Sequence, residues 1–87
     1  MDELSNIQNL NFDEPINYRI LVKGHLEDWW GERLGGLRIM THPQLEDLVL
    51  TELVGEVLDQ AALFGILSTL YDLRLPLISL QCCEINE

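Results

Sequence analysis

One continuous stretch, residues 59–80, constrains the fold of this 87-residue chain more than any other part of it. Asp59 is a residue type that caps helix N-termini, and the apolar positions 63, 66, 67 and 70 that follow it fall on one helical face. Pro76 cannot continue a helix, and the apolar run over residues 75–82 predicts a strand. The stretch therefore predicts a helix followed by a strand, with Arg74 in the last helical turn.

The residues before this unit predict three more strands and a short helix. Alternating apolar side chains predict a strand over residues 16–26, and two acids ahead of two tryptophans predict a short helix over 27–34, which Gly35 and Gly36 end. Strands over 37–41 and 48–57 are close enough in sequence to form a hairpin. The predicted fold class is α+β, a ferredoxin-like βαββαβ arrangement in which an antiparallel sheet carries two helices on one face.

The two ends of the chain are expected to lie outside this domain. Residues 1–14 are rich in Asn, Asp and Glu, which predicts a disordered N-terminal tail. Residues 15–84 then form a single ferredoxin-like domain, and residues 85–87 form a C-terminal tail. Four apolar residues of the N-terminal tail are candidates for docking to another protein: Leu4, Ile7, Leu10 and Phe12.

The charge balance limits the classes of partner. Fifteen acidic against five basic residues give a net charge of −10, which disfavours binding to nucleic acid or to an anionic membrane surface. A protein with a basic surface is a more suitable partner. The chain shows neither a signal peptide nor an apolar stretch long enough for a membrane span, and two adjacent cysteines, Cys82 and Cys83, are typical of a reducing compartment. We therefore expect a cytoplasmic protein.

Short patterns of defined spacing run from Tyr18 to Leu80. They are Tyr-x-Ile-x-Val-x-Gly-x-Leu-x-x-Trp from Tyr18, Leu-Gly-Gly-Leu-x-Ile from Leu34, Leu-x-Gly-x-Val from Leu53, Asp-Gln-Ala-Ala-Leu-x-Gly-x-Leu from Asp59 and Leu-x-Leu-Pro-Leu-x-Ser from Leu73. In these patterns the chain resembles a family of small uncharacterised bacterial proteins. The resemblance implies a shared fold, and because the family has no established activity it implies no catalytic residue, ligand or partner.

The sequence offers no pattern typical of catalysis or metal binding. His25 and His42 are the only histidines, and Cys82 and Cys83 lack the two-residue separation that zinc sites favour. The predicted fold allows one Cys83–His25 pair as a nucleophile and base, because both side chains are expected on the open face. We therefore expect no enzymatic activity, no cofactor and no metal, while the role of the two cysteines stays open.

The sheet face that the helices leave uncovered is the predicted interaction surface, because large exposed apolar patches mark interfaces. Phe64 and Tyr71, which lie off the core stripe of the second helix, add another apolar surface. The interface candidates are Leu21, Met40, Leu50, Val54, Leu77, Phe64 and Tyr71.

Two functions follow from this reading of the sequence. The favoured one is a small interaction module that forms a homodimer through the open sheet face and has an adaptor or regulatory role. The alternative is a small-molecule sensor or enzyme of the dimeric ferredoxin-like type, which requires polar groups converging inside an apolar pocket.

Overall fold

The computed structural model describes residues 14–43 and 48–83. In chain order the elements are β1 (Ile16–Lys23), α1 (Trp30–Arg33), β2 (Arg38–Pro43), β3 (Val49–Val57), α2 (Gln60–Asp72) and β4 (Leu77–Cys83). The tail docking candidates Leu4, Ile7, Leu10 and Phe12 and the predicted C-terminal tail lie outside the described residues.

The four strands form one antiparallel sheet in the order β2-β3-β1-β4. The prediction of an α+β fold with a four-stranded antiparallel sheet and two helices is confirmed. The predicted hairpin is also confirmed, since β2 pairs with β3 from Arg38 opposite Val54 to Pro43 opposite Val49.

A single hydrophobic core joins one face of the sheet to the helices. Ile20 and Leu53, which lie opposite each other on β1 and β3, are completely buried. They pack in one cluster with the α2 residues Leu63, Ile66 and Leu70, three of the four positions that the helical periodicity predicts. Full burial of such a side chain stabilises the fold by about 1.5–3 kcal/mol, so α2 is held mainly by this apolar stripe.

Local hydrogen bonds set both ends of α2. The Asp59 carboxylate accepts a hydrogen bond from the Ala62 N–H at 2.8 Å, which confirms the predicted N-cap. At the other end the Arg74 N–H donates to the Tyr71 carbonyl and the Leu75 N–H to the Leu70 carbonyl, the paired bonds of a Schellman motif. Arg74 therefore lies beyond the helix, with a φ of 64°, and its predicted place in the last turn is wrong.

Two predicted elements are shorter than expected. β1 ends at Lys23 rather than at residue 26 because Gly24 has a φ of 118° and leaves the strand conformation. A side chain at Gly24 would also collide with Leu75, whose Cδ2 lies 2.7 Å from the position of a Cβ. The first helix is reduced to Trp30–Arg33, and Gly35 and Gly36, with φ of 81° and 85°, end it as predicted.

The predicted facing of the first part of β4 is wrong. Ser79 lies opposite Leu21 but Leu77 lies opposite Val22, so Ile78 is an extra residue in the ladder. Such a bulge interrupts the alternation of side chains along a strand. Leu77, which was predicted on the open face, therefore lies on the core side, where it lines a cavity with α2, and Ile78 is half exposed.

Candidate interaction surfaces

The open face is the side of the sheet opposite the hydrophobic core. Cross-strand register arranges it in rows, with Arg38, Val54 and Arg19 in one row, Met40, Glu52 and Leu21 in the next, and His42, Leu50 and Lys23 in the third. Four of the predicted interface residues, Leu21, Met40, Leu50 and Val54, therefore do share this face.

A charged cluster occupies the centre of the open face. Arg19 Nε lies 2.7 Å from one carboxylate oxygen of Glu52, and His42 Nε2 lies 2.9 Å from the other. The Glu52 side chain is only 17% exposed, because long side chains from β1 and β2 cover it. The open face is therefore a mixed surface rather than a continuous apolar patch.

The aliphatic side chains of the open face are already partly covered within one chain. Leu21, Met40 and Leu50 are half-buried and Val54 is buried. Neighbouring charged side chains cover apolar surface with their alkyl stems while keeping their charges in water. A contact through this face would therefore bury less apolar surface than the sequence pattern suggests.

Several large exposed apolar side chains lie together on a different surface, which we call the α2–β4 flank. It consists of Phe64, Leu67 and Tyr71 on α2 and Leu77 and Leu80 on β4. Phe64 is 62% exposed, Tyr71 71% and Leu77 51%. Tyr71 and Leu77 line the same cavity, and Phe64 lies two helical turns from Tyr71 and so on the same stripe.

The cavity on the α2–β4 flank has a volume of about 250 Å³. It lies between the last turns of α2 and the start of β4, and its lining is apolar: Leu67, Leu70, Tyr71, Leu75, Pro76 and Leu77. Tyr71 contributes the one ionisable side chain among these lining residues, and the cavity suits an apolar side chain from another surface.

β4 is an edge strand whose only neighbour in the described sheet is β1. Its sequence, Leu-Ile-Ser-Leu-Gln-Cys-Cys, contains no charge and no proline. The opposite edge strand, β2, carries Arg38, His42 and Pro43, residue types that discourage edge-to-edge pairing. The sequence analysis did not predict this contrast between the two edge strands, although the uncharged run over residues 77–83 is visible in the sequence.

Two stacked tryptophans form a separate surface feature beside α1. The ring centroids of Trp29 and Trp30 are 4.9 Å apart, and the Arg33 guanidinium lies 5.6 Å and 5.7 Å from the two centroids. Trp30 packs against the core while Trp29 is about half exposed. The arrangement is explained by local cation–π contacts.

A buried phenol fixes the start of α2 to the sheet. The Gln60 Nε2–H donates to the Tyr18 hydroxyl at 2.9 Å. Burial raises the pKa of Tyr18 above its ordinary value of 10.0, the nearby Cys82 adds to this rise, and the Gln60 hydrogen bond opposes it. The Tyr18 phenol is therefore neutral at neutral pH, and its hydrogen bond with Gln60 links the start of α2 to β1.

The structure does not bring the histidines and cysteines together. Cys83 lies opposite Asn17 near the start of β1, whereas His25 follows the end of that strand, on the order of 20 Å away at about 3.3 Å per residue. Cys83 and His25 therefore lie far apart, and the predicted pairing of these two residues is wrong. Within residues 14–43 and 48–83 no group of three or more potential metal ligands occurs.

None of the described helices has the length and apolar character needed to cross a membrane. A protein-family model described as a domain of unknown function, DUF8691, matches residues 17–81. This is nearly the region, Tyr18 to Leu80, over which the sequence patterns resemble a small family without established activity, and the match confirms that resemblance. No curated protein and no solved structure matches the chain. Since the family model spans most of the sequence, the chain belongs to the DUF8691 family.

Proposed function

We propose that this protein is a small protein–protein interaction module that self-associates and serves an adaptor or regulatory role in the cytoplasm. The observation that carries the proposal is the α2–β4 flank. It places one highly exposed aromatic ring, Tyr71, in the wall of an apolar cavity that also includes Leu77 of the uncharged edge strand, and a second exposed ring, Phe64, two helical turns from Tyr71. Soluble proteins rarely leave such a combination open to water.

The aromatic rings are the strongest part of this surface. Taking about 200 Å² for a whole aromatic side chain, their exposures of 62% and 71% leave on the order of 250 Å² open to water. Tyrosine is also enriched among the residues that dominate interface energies. Burying these rings in a complex therefore supplies a driving force that the isolated chain lacks.

A ferredoxin-like arrangement is part of the proposal. The element order βαββαβ and the central position of β1 and β3 support it. In such an arrangement a module offers other proteins two kinds of surface, the uncovered sheet face and the outer edges of the sheet. Here the more apolar of the two is the edge at β4.

The open face is the second candidate for self-association. Leu21, Met40 and Leu50 favour it, but three of the five basic residues of the chain, Arg19, Lys23 and Arg38, also lie there. A two-fold contact brings like patches together, so these cations would approach their counterparts. The net charge of −10 over the whole chain supports a basic surface on any second protein that binds the module.

The small-molecule alternative has less support. Ligand pockets measure about 300–1,000 Å³ and contain a few converging polar groups. The cavity at the α2–β4 flank is smaller, at about 250 Å³, and its lining residues are apolar. We propose for the same reason that the module is not an enzyme and needs neither cofactor nor metal.

Sedimentation equilibrium at micromolar concentration tests the proposal. We expect twice the chain mass for the unmodified protein and the single chain mass for the double variant Phe64→Glu/Tyr71→Glu, because a carboxylate buried without a partner is costly. Leu58→Glu is the matched control, since Leu58 is 68% exposed but lies outside the flank, and it should leave the dimer intact.

A Leu50→Asp variant separates the two surfaces. Dissociation by Leu50→Asp, with no effect of the flank variant, would move the interface to the open face. A single chain mass for the unmodified protein across the micromolar range would refute self-association altogether. Far-ultraviolet circular dichroism of each variant establishes that it is folded.

A further inference from the structure

We infer that the second copy packs against the outer side of α2, where the two α2 helices lie antiparallel and Phe64 of each copy enters the cavity beside Tyr71 of the other. This inference rests on the proposed self-association and names the surface and geometry of the contact. Its starting observation is that the side of α2 turned away from the core carries almost no charge.

The outer side of α2 is uncharged where a surface helix is ordinarily charged. A surface helix buries one apolar stripe and carries charged residues on its opposite face. The exposed residues of α2 are Ala61, Phe64, Gly65, Ser68, Tyr71 and Asp72. Only Asp72, the last residue of the helix, is charged, although 23% of the residues of the chain are charged. Since helices that are apolar on all sides are ordinarily buried, the outer side of α2 suits a contact with another surface.

The spacing between an exposed ring and the cavity suits a two-fold axis. Phe64 and Tyr71 are two helical turns apart, about 10.5 Å along α2, and Tyr71 lines the cavity with Leu67 and Leu77. An axis perpendicular to α2 that passes between Leu67 and Ser68 exchanges the two positions, so that Phe64 of each copy lies over Tyr71 and the cavity of the other. One chain therefore provides both halves of a self-complementary contact.

The chemistry of the cavity suits a phenylalanine ring. Its volume is about 250 Å³ and its lining is apolar apart from the Tyr71 hydroxyl. Aromatic rings pair favourably in offset or edge-to-face arrangements with centroids about 4.5–7 Å apart. A ring that enters beside Tyr71 gains such a contact and also covers Leu77, which is 51% exposed in the single chain.

The charges at the two ends of α2 favour antiparallel packing. Asp59 caps the N-terminus, and Arg74 follows the C-terminus. Antiparallel helices bring Asp59 of one copy to the same end of the contact as Arg74 of the other, and Asp72 to the positive N-terminal end of the other helix dipole. Parallel helices would instead bring each of these charges toward its own counterpart. Each chain carries a net charge of −10, so two copies approach with less repulsion at a weakly charged helix than at an acidic surface.

The area of the outer side of α2 suits a small homodimer interface. The exposed surface of Phe64 and Tyr71, on the order of 250 Å², is about a third of the ~800 Å² per partner in a standard interface. Ala61, Ser68 and Leu77 add to it. The contact therefore belongs to the small end of stable interfaces, where weak and reversible association is common.

Disulfide trapping tests the geometry in a Cys82→Ser/Cys83→Ser background that retains the dimer mass. Ser68→Cys places one thiol per chain next to the proposed axis. Packed helices with axes about 8–10 Å apart and a Cα radius of about 2.3 Å bring facing Cα atoms to on the order of 5 Å, within the range of a disulfide. Ala61→Cys is the matched control, because Ala61 is exposed on the same helix but lies about 20 Å from its counterpart when the helices are antiparallel.

Under mild oxidation we expect Ser68→Cys chains to cross-link at least ~10-fold more than Ala61→Cys chains, because the contact raises the local thiol concentration. Equal and efficient cross-linking through both positions would indicate parallel helices and overturn the inference. A dimer that cross-links through neither position overturns packing on α2 but leaves self-association standing. A monomeric unmodified protein overturns both the inference and the proposed self-association.

Nuclear magnetic resonance on the unmodified chain gives a second test that needs no substitution. In a mixture of isotope-labelled and unlabelled protein, isotope-filtered spectra detect contacts between copies only. We expect ring-to-ring signals between Phe64 of one copy and Tyr71 of the other. These two rings are about 10.5 Å apart along one helix, so the signals do not arise within a chain. Signals between copies that involve Met40 and Leu50 of the open face but neither ring would contradict the inference.

Discussion

Thr51→Val should destabilise the protein strongly, although threonine and valine side chains have nearly the same shape. Thr51 is completely buried in the middle of the sheet. Its hydroxyl donates to the Gly24 carbonyl at 2.6 Å and accepts the Leu26 N–H at 3.2 Å. These two bonds hold the chain where it leaves β1, at the point where the positive φ of Gly24 ends the strand.

The size of the effect follows from the groups that lose their partner. A buried donor or acceptor left unpaired costs about 1–3 kcal/mol. The Leu26 N–H is buried and bears the full cost, whereas Gly24 is half-buried and its carbonyl regains part of its hydration. We therefore expect Thr51→Val to lower the free energy of unfolding by about 2–4 kcal/mol. A chain of this length has a total stability of about 4–13 kcal/mol, so the loss is a large fraction of it.

Thr51→Ser is the matched control. It keeps the hydroxyl and both hydrogen bonds and removes one buried methyl group, which costs about 1 kcal/mol. Urea unfolding followed by the fluorescence of Trp29 and Trp30 measures both variants. Thr51→Val should have the lower midpoint, and its Tm should fall by about 8–32 °C at roughly 4–8 °C per kcal/mol. If Thr51→Val is as stable as Thr51→Ser, the hydroxyl bonds do not hold this corner and our reasoning fails.

Three further predictions concern the ends of α2 and its contact with β1. Arg74→Gly should stabilise the protein by about 0.5–1 kcal/mol in urea unfolding, because glycine adopts the left-handed conformation of this residue without strain; an unchanged or lower midpoint contradicts this. Asp59→Ala should destabilise by about 1 kcal/mol through loss of the N-cap, while Asp59→Asn, which keeps an acceptor oxygen, should recover most of that loss. In a Tyr71→Phe background Tyr18 is the only tyrosine, and its absorbance titration should have a midpoint above 10.0 because burial raises its pKa. The Tyr18 phenol ionises at lower pH in the unfolded chain than in the folded one. Its contribution to the free energy of unfolding should therefore be constant below pH 10.0 and should decrease as the pH rises beyond it. An absorbance titration midpoint at or below 10.0 would show that Tyr18 is not desolvated.

The order of the elements and much of the core were accessible from local sequence. Asp59 and the apolar spacing after it predict α2, because capping and helical periodicity depend on residues within a few positions of one another. Alternation predicts β1 for the same reason, and in the structure Tyr18, Ile20 and Val22 face the core. The exposed positions of Phe64 and Tyr71 also follow from the helical period alone.

The composition of the open face and of the α2–β4 flank depends on contacts between segments that are distant in the sequence. The bulge at Ile78 arises from pairing β4 with β1, and it moves Leu77 from the open face to the core side. The contacts of Glu52 with Arg19 and His42 join three strands, and these polar side chains break up the apolar patch that alternation predicts. Neither feature has a signal within one strand, because strand register is set by the partner strand.

The sequence by itself determined which elements form, since helix caps, periodicity and turn residues act over a few positions. Tertiary structure decided which face each strand presents and which strands lie at the edges of the described sheet. A register shift of one residue reverses the facing of a side chain, and an edge strand is recognisable only once the strand order β2-β3-β1-β4 is known. The α2–β4 flank exists for that reason: Tyr71 and Leu77 become neighbours only when the chain after Pro76 returns alongside β1.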